Sequence, residues 1–250
     1  MKIYPAFIFS ILCFFTLENF QAQNATTIIK KMEDLTRGDK SYSEVTMKIV
    51  RPRYTREIGM RSWTLGEDFS LIQITAPNRD RGTAYLKREK EIWNWVPNID
   101  RLIKLPPSMM SQSWMGSDFS NDDLVRESST IEDYEHQLLG MEKMNGFECY
   151  KIELIPKPNK PIVWSKVIIW IAKDDYFQVK NEQYDERGEL VNTIEFSEVK
   201  QFGNRKIPSR MVLTPHNKRG HQTELIQEKI DFELDIQEDF FSIQNLQRLR

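Results

Sequence analysis

The chain has 250 residues, 40% apolar and 29% charged, with 35 basic against 37 acidic side chains and a net charge of −2. That balance excludes the cationic surplus that nucleic-acid binding requires, and the 11% aromatic content excludes a disordered chain. Two cysteines cannot build a disulfide framework, and three histidines leave few candidates for a metal site.

Lys2, the almost wholly apolar stretch 3–17 and the small residue Ala22 describe a cleaved secretory signal peptide over residues 1–22. As a helix the stretch would cover only about 22 Å, short of the roughly 30 Å hydrocarbon core, so a membrane anchor is disfavoured. Leu12 before Cys13 is too large for a lipid-modified cysteine. Residues 23–250 read as a single domain with one cysteine, Cys149. Export without an internal disulfide points to the periplasm of a Gram-negative cell.

After the leader, Ile28, Met32 and Leu35 fall on one face of a helix, and Gly38 stands just beyond its expected end. From there the period is two. Alternating or β-rich runs cover 45–49, 58–62, 69–74, 85–89 and 92–96 in the first half. In the second half they cover 150–154, 163–172, 177–184, 191–199, 207–213 and 223–234. Polar turns such as Asn145-Gly146, Arg187-Gly188 and Gly203-Asn204 separate them, and no linker interrupts the series. Such a series predicts one large antiparallel sheet, strongly curved or partly closed.

The segment 105–129 breaks this pattern. Pro106-Pro107 stops a strand, and Met109, Met110, Trp114 and Met115 then crowd large apolar side chains among Ser and Gln. Gly116 and Asp118 form a turn, and Ser120 with Asp123 has the spacing of a helix capping box leading into Leu124 and Val125. A loop this long between strands predicts a lid or binding segment.

Catalytic chemistry is sparse. Phosphate loops, paired metal-ligand histidines, Cys-x-x-Cys and nucleophile elbows are all missing from the sequence. Asp118, Asp122 and Asp123 could act as acid, base or ligand, but capping is the simpler reading of aspartates at a helix start. The expectation is therefore a non-enzyme with no cofactor and no metal. Six tryptophans and ten methionines on or beside strands are either plain core or the lining of a concave, adaptable site.

Three stretches carry a resemblance: Trp93-Asn94-Trp95-Val96-Pro97, Asp100-Arg101-Leu102-Ile103-Lys104, and Met115-Gly116-Ser117-Asp118-Phe119-Ser120-Asn121-Asp122-Asp123-Leu124. With Arg81-Gly82-Thr83-Ala84-Tyr85-Leu86-Lys87 and Phe240-Phe241-Ser242 they make the chain similar to the bacterial outer membrane lipoprotein-sorting protein family, related in fold to LolA and LolB. The resemblance implies a mainly β fold: a half-open antiparallel β-barrel of about eleven strands, covered by a few short helices over an apolar cavity.

It also implies a periplasmic carrier of lipid or lipoprotein acyl chains, working with an inner-membrane RND-type or ABC exporter and touching membranes only transiently. On this reading Met47, Met60, Trp63, Leu71, Trp93, Trp95, Met109, Met110, Trp114, Met115 and Phe119 line the cavity and lid, and 105–129 is a movable cover. A carrier needs a deep cavity, because each methylene kept from water is worth ~0.8 kcal/mol. Two other classes stay open: an envelope-stress sensor with no transport role, and a hydrolase acting on lipid or glycan.

Overall fold

The computed structural model describes residues 25–126, 130–160 and 162–249; the signal peptide expected at 1–22 lies outside them. Helix α1 spans 25–36. Strands β1 (Lys40–Arg51), β2 (Tyr54–Leu65), β3 (Phe69–Ala76), β4 (Ala84–Arg88), β5 (Glu91–Val96) and β6 (Arg101–Lys104) follow as a meander. An irregular segment, 105–126, ends in a wide π-helical turn at Asp122–Arg126. After the short helix α2 (Thr130–Asp133) comes a second meander. Its strands are β7 (Tyr134–Met144), β8 (Phe147–Pro156), β9 (Lys166–Ala172), β10 (Gln178–Tyr184), β11 (Leu190–Phe202), β12 (Arg205–Pro215) and β13 (Gln222–Asp231). A tail, 232–249, carries helix α3 (Ile243–Arg248).

All thirteen strands form one antiparallel sheet in the order β6-β5-β4-β3-β2-β1-β13-β12-β11-β10-β9-β8-β7. Every neighbour is a chain neighbour except β1 and β13, whose pairing from Tyr42↔Asp231 to Val50↔Gln222 joins the two meanders. Strands β6 and β7 remain as free edges, so the barrel is half-open. The half-open barrel is as expected; the described residues form thirteen strands where about eleven were expected, and the two additional ones are these edges. All four residues of β6 are exposed, and Leu138/Gly140 in β7 shifts register at a bulge. An edge strand with little buried surface is under weak pressure to alternate, so the period-two signal fades there.

The two faces of the first meander are both covered. Met47, Ile49, Ile58, Met60, Ile72, Ile74 and Ile92 point to the inner face and meet Met110, Trp114 and Phe119 of the irregular segment. The outer face carries Leu71, Ala84, Leu86 and Trp95, buried beneath Ile236, Phe241 and Leu246 of the tail. Gln73, also buried, accepts from Arg61 Nε (2.7 Å) and donates to the Leu249 carbonyl (2.6 Å), so the tail's end is tied down without an orphaned polar group. In the second meander, α1 lays Ala25, Ile28, Ile29 and Met32 against Ile152, Leu154, Val167, Ile169 and Ile171. Each of these Ile, Leu, Val and Met side chains contributes about 1.5–3 kcal/mol on burial.

Candidate functional site

Two cavities lie beside α1 and share Met32 and Gln178 in their walls. One, of about 230 Å³, is mainly apolar, with Val45, Phe196, Ile207, Met211, Leu225 and Ile230 among its lining. The other, of about 270 Å³, is mixed: Trp164, Leu154 and Val167 face Arg37, Asn181 and Gln183. Gln183 Oε1 accepts from Asn192 Nδ2 at 2.8 Å, whereas Asn181 Oδ1 is buried with no hydrogen-bond partner. Helix α1 covers these cavities and is itself pinned. Thr26 Oγ1 bonds His136 Nδ1 (2.9 Å), and Glu33 Oε1 accepts from the Thr130 N–H (3.0 Å). Burial pushes the Glu33 carboxyl above its ordinary range, and burial holds the His136 imidazole below its own.

The irregular segment 105–126 fills the other half of the inner face and folds back on itself. Trp114 N–H donates to the Phe119 carbonyl (2.8 Å), and Asn121 Nδ2 donates to the Met109 carbonyl (2.8 Å). Ser120 and Asp123 cap each other: the Ser120 N–H and Oγ donate to Asp123 Oδ2 at 2.8 and 2.7 Å, and the Asp123 N–H returns to Ser120 Oγ at 3.1 Å. Burial raises the Asp123 carboxyl above its usual range. Trp114 is 1% exposed and packs on Tyr85 at 5.4 Å between ring centroids. Tyr85 is itself pushed up to about 12 by burial.

The tip of the segment is latched to β1, β2 and β13. Arg51 Nη1 contacts Asp118 Oδ2 at 2.8 Å, with side chains 8% and 2% exposed. Thr223 Oγ1 donates to the same carboxylate oxygen (2.7 Å), Arg51 Nη2 reaches the Gly116 carbonyl (2.8 Å), and Arg56 Nη1 reaches the Met115 carbonyl (3.1 Å). Asp118 Oδ2 is thus bound up in structure, while its other carboxylate oxygen stands 3.7 Å from His221 Nδ1. Among the described residues no group of three or more His, Cys, Asp or Glu could hold a metal ion. Cys149 is buried, and burial pushes its thiol up to about 11.

The expected cavity residues are divided by this arrangement. Met47, Met60, Met109, Met110, Trp114, Met115 and Phe119 come together in one inner cluster. Trp63, Leu71, Trp93 and Trp95 do not join it, a correction of their expected place: they lie on the outer face under the tail. The reason is parity, since odd positions such as Trp93 and Trp95 oppose the even Ile92 across the pleat. Of the candidate site residues named from the sequence, Asp122 and Asp123 border the mixed cavity, and none of the expected apolar liners borders either void. The liners Val45, Ile207, Met211 and Leu225 sit on runs whose alternation is plain, but no sequence signal says which face is inward.

A family model described only as "-like: Uncharacterized protein" matches residues 66–248. None of the curated proteins matches the chain. Among solved structures, a domain described as outer membrane lipoprotein-sorting from Vibrio parahaemolyticus is 27% identical over 91% of this chain and 100% of its own, with a TM-score of 0.81. A DUF1329 family protein from Desulfovibrio piger is 23% identical over 91% and 99%, at 0.83. A LolA superfamily protein from Nitrosomonas europaea is 22% identical over 88% and 98%, at 0.75.

Proposed function

For a chain that belongs to the family matched over residues 66–248, and that shares the fold of outer membrane lipoprotein-sorting and LolA superfamily proteins, we propose a carrier of acyl chains in the periplasm. The observation that carries this reading is the apolar cavity between α1 and strands β1, β11, β12 and β13. With a methylene taken as about the size of a water molecule, ~30 Å³, 230 Å³ holds seven or eight of them. At ~0.8 kcal/mol each, that is about 6 kcal/mol of transfer energy. A full tail of about fifteen methylenes needs the mixed cavity as well, or an outward shift of α1 or of segment 105–126.

The mixed cavity supplies polar atoms where a chain's linkage to its headgroup or peptide would emerge. Loading requires an opening step, which the proposal assigns to an inner-membrane RND-type or ABC exporter. The experiment is native mass spectrometry of the protein recovered from its own cell envelope, beside a Leu225→Trp variant that fills the apolar cavity. Co-purifying acyl lipid that disappears in the variant supports the carrier. An empty protein that also takes up no lipid on addition sinks it.

A further inference from the structure

Antiparallel strands alternate in direction, so the turns 52–53, 77–83, 97–100 and 216–221 all lie at one end of the sheet. The strand order makes them neighbours along that rim, and contacts weld them together. Asn98 Nδ2 donates to the Arg79 carbonyl at 2.6 Å, and Arg56 meets Asp80 at 2.8 Å. Gly82 and Gly220 each bring their backbone so near a proline of the next turn, Pro97 and Pro52, that an added Cβ would stand 3.2 Å from its ring. Both glycines have positive φ, so a side chain there would be strained as well.

These turns, with the first residue of β6, expose Arg53, Arg79, Arg81, Arg101, Lys218 and Arg219. They hold only two carboxylates, Asp80 and Asp100, and Asp80 is shared between Arg56 and Arg79. The opposite end reverses the sign. Asp39, Glu67, Asp68, Glu89, Glu91, Glu233, Asp235, Glu238 and Asp239 gather around the turns there and the start of the tail, against Arg37, Lys40, Arg88, Lys90 and Lys104. A net charge of −2 hides this polarity. The basic stretch stops at the β10–β11 turn, where Asp185, Glu186 and Glu189 outnumber Arg187.

Two large apolar side chains stand out on the same rim: Ile99, 61% exposed, and Tyr54, 57% exposed. An acidic protein or a nucleic acid would be met by the charges alone. Apolar and aromatic tips set among arginines match a headgroup layer, where the ring and the aliphatic chain leave water while the cations meet phosphate. We propose that this rim docks the protein on the surface of a bilayer containing anionic phospholipid. The reading is independent of cargo, though it sets the bilayer beside the Arg51–Asp118 latch of segment 105–126.

The test is flotation of the full chain with vesicles of phosphatidylcholine alone or mixed with phosphatidylglycerol; the first composition measures any contribution of the apolar stretch 3–17. The docking rim predicts binding that appears with phosphatidylglycerol and is lost at high salt. Each cation near the surface is worth about fivefold in affinity, so Arg53→Gln/Arg101→Gln/Arg219→Gln lowers it about a hundredfold. Ile99→Ser weakens vesicle binding and leaves binding to soluble heparin unchanged. No preference for phosphatidylglycerol, or full binding by the triple variant with its circular dichroism intact, overturns the proposal. Equal affinity for heparin and vesicles, with Ile99→Ser silent on both, overturns it in favour of a soluble acidic partner. A protein that docks yet carries no lipid sinks the carrier and spares the rim; one that carries lipid and ignores vesicles does the reverse.

Discussion

The two meanders use one sheet in opposite ways. In β1–β5 both faces are largely closed, the inner by segment 105–126 and the outer by the tail 232–249, with Ser43 and Val45 of β1 bordering the apolar cavity. In β7–β11 the outer face is a solvated grid in which Lys151 pairs with Glu142, Lys166 with Glu153 and Lys180 with Glu182. Trp170 lies flat under Lys151 and Lys180. On the inner side a single helix of twelve residues, 25–36, is the main cover. A helix about 10–12 Å wide cannot fill the hollow of a curved sheet, and the voids lie along it. Coverage, more than composition, decides where the hollow is.

The largest effect expected to distinguish the halves is at the latch. Asp118→Ala leaves Arg51 buried without its partner and should cost about 3–5 kcal/mol in chemical denaturation, whereas Glu142→Ala, which breaks the exposed Lys151 pair, should cost at most ~1 kcal/mol. Replacing both latch residues, Arg51→Met with Asp118→Leu, should recover much of the loss. Trp114→Ala empties the core of the filled half and should lower stability by about 3–5 kcal/mol, against roughly half that for Trp164→Ala at the cavity wall. Equal losses would mean that the two halves are packed alike.

Enlarging side chains sharpens the same contrast with a smaller effect. Met47→Trp in the filled half should cost about 1–3 kcal/mol from overpacking, while Leu225→Trp at the apolar cavity should cost close to nothing and extinguish lipid binding. The smallest effect concerns the pinning of α1. His136 is held neutral by burial, its folded value lying below the unfolded one, so the folded state binds fewer protons and stability falls as pH drops from about 6.5 through the lowered value. Its half-buried position limits the slope to a fraction of the ~1.4 kcal/mol per pH unit that one whole proton gives. In His136→Gln that component should vanish from a pH series of melting curves.

Much of the fold was legible because burial on one face writes itself as a period of two. Eleven of thirteen strands, the helix at 25–36 and the break at 105 are all visible in the spacing of apolar residues. The strands that escaped, β6 and β7, are edges with little to bury. The candidate site was far less legible. Trp93 and Trp95 look like ligand-binding aromatics, yet they are core beneath Phe241 and Leu246; Met211 and Leu225 look like core and border a void.

From its sequence alone this chain determines a β-rich domain, a helical start and a Met- and Trp-rich insertion between two runs of strands, since all three depend on local spacing. It also determines resemblance to a lipoprotein-sorting family through residues such as Met115-Gly116-Ser117-Asp118-Phe119. Only tertiary structure decided that β1 pairs with β13, that the tail seals the outer face, and that the insertion is latched by Arg51. Each of those contacts joins residues far apart in the chain. A pattern read along a strand names two faces without saying which will find a cover; that is settled only when distant segments meet them.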